Sequence, residues 1–224
     1  MSLLNNLGKI AIKMGLLITV GAVASGEDRI FAADDSRNLA REIFQADFSS
    51  IEISGNNITF YSPDGKVQCE SEYAFVGTEK GPGFNMEGES EWYKFESMPT
   101  HSCSEYSHVI ITEINAPEVM TFWNMRYGNT SFDDLINNPE YSILSPTLTL
   151  SNFTAERMAA IVNEDEEETE EMGAPLWSRR ESQVSLEDWG GKWITTGTLV
   201  DDPALMPFYQ AMANVANAAN AKHN

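Results

Sequence analysis

The chain has 224 residues, 42% of them hydrophobic, enough for one domain of ordinary size with appendages. Its 34 acidic residues outnumber 14 basic ones, and the formal charge of −20 excludes nucleic acid and anionic membrane surfaces as natural partners. Two cysteines exclude a disulfide framework but allow one bridge in an oxidising compartment.

At the N-terminus, Lys9 and Lys13 flank the start of an apolar run over residues 14–23, and Ala22-Val23-Ala24 supplies a small-x-small cleavage pattern before Glu27 and Asp28. The run is too short for a stable bilayer anchor. Residues 1–24 are therefore expected to be a secretory signal peptide, and the mature chain periplasmic or extracellular, away from the membrane. Removing Lys9 and Lys13 leaves 12 basic residues against 34 acidic ones. Next, Leu39, Ile43 and Phe44 share a face and predict a short helix within 36–48, with Arg37 and Arg41 outside.

Alternation then takes over. Ile51, Ile53, Ile58 and Phe60 surround Gly55-Asn56-Asn57, a hairpin turn. Pro63-Asp64-Gly65 makes the next turn, residues 67–76 a strand, and residues 77–88 a Gly-rich loop without the Lys-Ser/Thr of a phosphate-binding loop. Strands are expected at 90–96, 107–114 and 121–127, with Ala116-Pro117 breaking the second from the third. A helical turn at 131–138 and a short helix at 153–162, capped by Asn152 or Thr154, complete a block spanning 25–162. This pattern predicts a mainly β domain, a meander closing into a barrel.

Residues 163–171 are a run of like charges, and 163–184 is expected to be an acidic, extended linker of 22 residues reaching on the order of 70 Å. A last block, 185–224, contains the strand 189–199 around Trp189 and Trp193. Asp202-Pro203 then starts a helix with Leu205, Phe208, Tyr209, Met212, Val215 and Ala219 at helical spacing.

Little else suggests chemistry. His101-x-Cys103-x₄-His108 gathers three potential metal ligands in one loop, though the spacing fits no zinc motif. A Cys69–Cys103 disulfide that ties this loop to the barrel is the favoured use of Cys103. The chain has three histidines and no Gly-x-Ser-x-Gly elbow, and Glu113 with Glu118 or Asp133 with Asp134 read as solvated surface, so no enzyme is expected. Asn57, Asn129 and Asn152 head glycosylation sequons, which matter only in a eukaryotic secretory route.

Two blocks resemble the ZinT/YodA family of exported zinc-binding proteins. The first carries Trp92-Tyr93-Lys94-Phe95-Glu96, then Ile114-Asn115-Ala116-Pro117 through Gly128-Asn129, and Ser145-Pro146-Thr147. The second carries Asp188-Trp189-Gly190-Gly191-Lys192-Trp193 and the helix beyond. The family opens with the segment that here comes last. The resemblance thus implies a lipocalin-like (calycin) β-barrel with flanking helices, circularly permuted, which binds a metal ion or small ligand without catalysis. The family's zinc histidines fall on Glu113, Phe122 and Asn124, so a three-His zinc site is not expected. Glu113 and Asn124 remain as oxygen donors for a different divalent metal or a small molecule. The displaced tail also admits a structural alternative. Trp189, Trp193, Leu205, Phe208 and Met212 would complete the chain's own barrel or, by segment exchange, that of a neighbouring copy in a homo-oligomer.

Overall fold

The computed structural model describes residues 30–83, 88–98, 103–113, 122–143, 145–163 and 184–220. The expected signal peptide, linker residues 164–183 and His101 lie outside these.

Eight antiparallel strands, each bonded to the next in sequence, close into a lipocalin-like barrel. They are β1 (Ser50–Ser54), β2 (Asn57–Tyr61), β3 (Val67–Pro82), β4 (Glu89–Ser97), β5 (His108–Glu113), β6 (Phe122–Gly128), β7 (Thr147–Leu150) and β8 (Gly191–Thr195). The helices are α1 (Ala33–Ile43), α2 (Phe132–Asn137), α3 (Pro139–Ile143), α4 (Ala155–Asn163) and α5 (Met206–Asn220). Alternation sets the inward face: Ile51 and Ile53 of β1, Ile58 and Phe60 of β2, Val109 and Ile111 of β5, Trp123 and Met125 of β6, and Trp193 of β8 form one buried cluster. Gly55, at a φ of 58°, makes the β1–β2 turn, where a side chain would be strained.

The tail closes the ring. Ile51 pairs with Trp193 on one side of β8, and Leu150 with Trp193 on the other. Trp189 packs on Tyr93 and Phe95. Leu205, Phe208 and Met212 go elsewhere, into a helical layer with Ala40 and Phe44 from the α1 end and Met158 of α4. Asp202 accepts from the Ala204 N–H at 2.9 Å, with Pro203 at the first position, and so starts the 3₁₀ turn Pro203–Leu205 that leads into α5. Both halves of the tail are therefore buried within the same chain.

Several elements differ from the sequence reading, α3 among them. The Gly-rich loop expected at 77–88 continues as strand to Pro82, because β4 supplies a ladder along its whole length; only a bulge between Phe75 and Gly77 interrupts it. Strand β7 was not legible: Thr147-Leu148-Thr149-Leu150 alternates, but over only four residues. The tail strand is limited to Gly191–Thr195 and is flanked by 3₁₀ turns at Leu186–Trp189 and Thr196–Leu199. Beyond Glu72, among the described residues, β3 pairs with β4 alone. That free edge carries the bulge, Lys80 and Pro82, features that discourage another strand from adding.

Candidate functional site

Of the expected metal ligands, His101 lies outside the described residues, and Cys103 and His108 have other partners. Cys103 is bonded to Cys69, so it offers no thiolate. His108, at the start of β5, has its Nε2 3.8 Å from Glu96 Oε1 and its ring edge-on to Phe132. Glu113 pairs with Trp123, whereas Asn124 pairs with Thr112. Glu113 and Asn124 thus occupy register positions of opposite parity on the β5–β6 ladder. Among the described residues, no group of three or more His, Cys, Asp or Glu side chains could hold a metal ion.

Asn124 sits instead in a polar belt on the outer wall. Inward positions 123 and 125 belong to the barrel core, so Asn124 and Arg126 share the opposite face. Arg126 is 1% exposed. Its Nη1 donates to Leu135 O and Ile136 O, both at 2.8 Å, and its guanidinium lies 4.4 Å from the centre of the Trp92 ring. A cation at the last carbonyls of α2 complements their partial negative charge, and Trp92 adds a cation–π contact. Trp92, Ile110, Leu135 and Ile136 form a small apolar cluster beside it. Burial lowers the Arg126 pKa to about 10.

Beyond Arg126 the belt continues across strands. Thr112, Asn124 and Thr147 stand side by side on β5, β6 and β7, and Thr149 lies one step further on β7. All four are buried. Asn124 Nδ2 donates to Ser145 O at 3.3 Å and Pro146 O at 3.0 Å, tying the segment before β7 to the wall. Asn124 Oδ1, Thr147 Oγ1 and Thr149 Oγ1 have no hydrogen-bond partner among the described residues.

Charge decides what this belt can take. A cation beside Asn124 would lie roughly 7–10 Å from the Arg126 guanidinium, costing about 2 kcal/mol per unit charge at an effective dielectric of 20. The belt's own side chains supply no carboxylate. It fits a divalent metal poorly and an uncharged molecule well.

A second feature is the aromatic closure at the end of the barrel that carries the β4–β5 loop. Tyr106 stacks on Phe60 at 4.4 Å and meets Phe48 and Tyr127 edge-on. Its carbonyl accepts from the Tyr73 hydroxyl at 2.7 Å, its hydroxyl from Gln68 Nε2 at 3.1 Å, and the Cys69–Cys103 bridge holds its loop to β3. Burial, seconded by Asp47, pushes Tyr106 up to about 12, and burial raises Tyr73 and Tyr127 still further. These groups are protonated packing side chains at neutral pH.

Compared with family models, curated proteins and solved structures, the chain shows no significant match. Sequence reasoning missed Arg126, Thr147 and Thr149. A signal existed for the first: an arginine at the same parity as Asn124 in a strand otherwise rich in core residues.

Proposed function

We propose that this chain is an exported, non-catalytic binding barrel of the ZinT-like kind its sequence resembles, and that its ligand is a small molecule rather than a metal ion. The observation that carries this reading is the outer-wall belt, where buried oxygens of Asn124, Thr147 and Thr149 have no hydrogen-bond partner among the described residues, beside a buried Arg126. Burying such groups costs about 1–3 kcal/mol each, a cost that a ligand would remove.

Two further observations support the family and compartment. The Cys69–Cys103 bridge suits an oxidising compartment. A permuted block order is compatible with this barrel, because β8 pairs with both β7 and β1 and the strand order is a cycle. A cycle is unchanged by where the chain begins.

Native mass spectrometry of the full chain, purified gently and then incubated separately with Zn²⁺ and Ca²⁺, tests the reading. One small non-metal adduct per chain and no stoichiometric metal is the expected result. One retained metal ion per chain would overturn the choice of ligand. A ladder of adduct-free oligomers that grows with concentration would replace binding by segment exchange between copies.

A further inference from the structure

We infer that the row Asn124–Thr147–Thr149 is a binding site for a neutral hydroxyl group, supplied by water or by a small alcohol, an assignment that rests on the small-ligand reading for its biological use.

Both amide protons of Asn124 are committed to Ser145 O and Pro146 O, so its Oδ1 points away from them and can only accept. Asn124 and Thr149 are 0% exposed and Thr147 is 4% exposed, and none of the three side-chain oxygens has a hydrogen-bond partner among the described residues. Buried oxygens in native proteins are nearly always satisfied, by protein or by a bound guest.

Spacing limits the guest. Asn124 and Thr147 are directly opposed in the ladder, which places their Cβ atoms about 5 Å apart. A single oxygen at about 2.8 Å from each side chain spans that gap. Thr149 lies on the same face about 7 Å along β7, so satisfying it takes a second oxygen about 3 Å from the first. Two neighbouring waters have that spacing, and so do the hydroxyls of a vicinal diol.

Chemistry narrows it further. The guest must donate to Asn124 Oδ1, which a carboxylate cannot do. The row's own side chains include no carboxylate to balance a buried positive charge, which disfavours an ammonium or a metal ion. A neutral group that donates to Asn124 and exchanges hydrogen bonds with the threonine hydroxyls meets every condition.

The test is nuclear magnetic resonance of the full chain, following the Asn124 side-chain amide and its cross-relaxation with long-lived water. Ethylene glycol is titrated as the alcohol probe, with sodium acetate and methylammonium chloride as charged controls. A water cross-peak that ethylene glycol displaces saturably identifies an alcohol site, and one that it leaves intact identifies a water site; both support the inference. Thr147→Val should abolish the cross-peak, while Thr147→Ser, which keeps the hydroxyl and guards against a folding artefact, should retain it. Absence of any cross-peak in the native chain, together with a higher Tm for Thr149→Val, would show a dry row and overturn the assignment. A saturable shift with acetate or methylammonium but not with glycol would overturn it as well. A dry row alongside a non-metal adduct in the native mass spectrum would remove this site and leave the small-ligand reading standing.

Discussion

Replacing Trp193 with alanine tests whether the displaced tail completes its own barrel. Trp193 is 1% exposed, stands edge-on to Trp123 with ring centres 5.3 Å apart, and donates its Nε1–H to Trp189 O at 2.8 Å. A tryptophan side chain buries roughly 200 Å², worth about 5 kcal/mol at 25 cal/mol per Å². That figure is an upper bound, because the unfolded chain already hides part of its apolar surface. Truncations of this kind cost about 3–5 kcal/mol, a large share of the roughly 5–15 kcal/mol that stabilises a domain. Urea denaturation followed by circular dichroism, at several protein concentrations, should show a lower midpoint for Trp193→Ala at unchanged slope. In the native chain the midpoint should not depend on concentration, since the strand that closes the barrel belongs to the same molecule. A loss below about 1 kcal/mol would refute the core position of Trp193, because surface substitutions behave that way. A midpoint rising with protein concentration would show that a neighbour supplies the strand.

Arg126→Met should cost about 2–4 kcal/mol in the same assay, since the last carbonyls of α2 and the face of Trp92 lose a buried cation. Arg126→Lys should recover little of it, because an ammonium cannot match the planar fork. Replacing both Cys69 and Cys103 with serine opens a loop with sequence separation 34, which chain-entropy reasoning values at about 4 kcal/mol, readable as a lowered Tm equal to that of the reduced native chain. Alkaline titration should destabilise the fold. The tyrosines Tyr106 and Tyr209 are raised to about 12, and Tyr73 and Tyr127 are raised further, chiefly by burial. Their contribution is complete below the unfolded value near 10 and is lost as pH climbs through the folded values. Arg126, lowered to about 10, acts with the opposite sign over the same window, but it is one group against four. Stability that rises between pH 10 and 12 in a urea series would contradict this balance.

Much of the barrel was legible because alternation is a local signal. Ile51, Ile53, Ile58 and Phe60 announce two inward faces and the turn between them, and β5 and β6 announce themselves by β-branched and aromatic runs. The cap on the 3₁₀ turn leading into the last helix was equally local, written in Asp202-Pro203. The candidate site was hardly legible. Asn124 could be picked out as a possible ligand, but its partners Thr112, Thr147 and Ser145 are set by register between strands distant in sequence.

The sequence by itself determined the acidic charge, the mainly β class, the period of each long strand and the amphipathic terminal helix, since each depends on neighbours within a few residues. Only the tertiary structure decided that Glu113 and Asn124 occupy positions of opposite parity, because a one-residue difference in register reverses the face. Only it decided that Arg126 lies buried against the end of α2, and that the two halves of the tail serve separate layers. Each of those outcomes depends on which distant segments lie side by side once the barrel closes, and no local pattern in the chain encodes that.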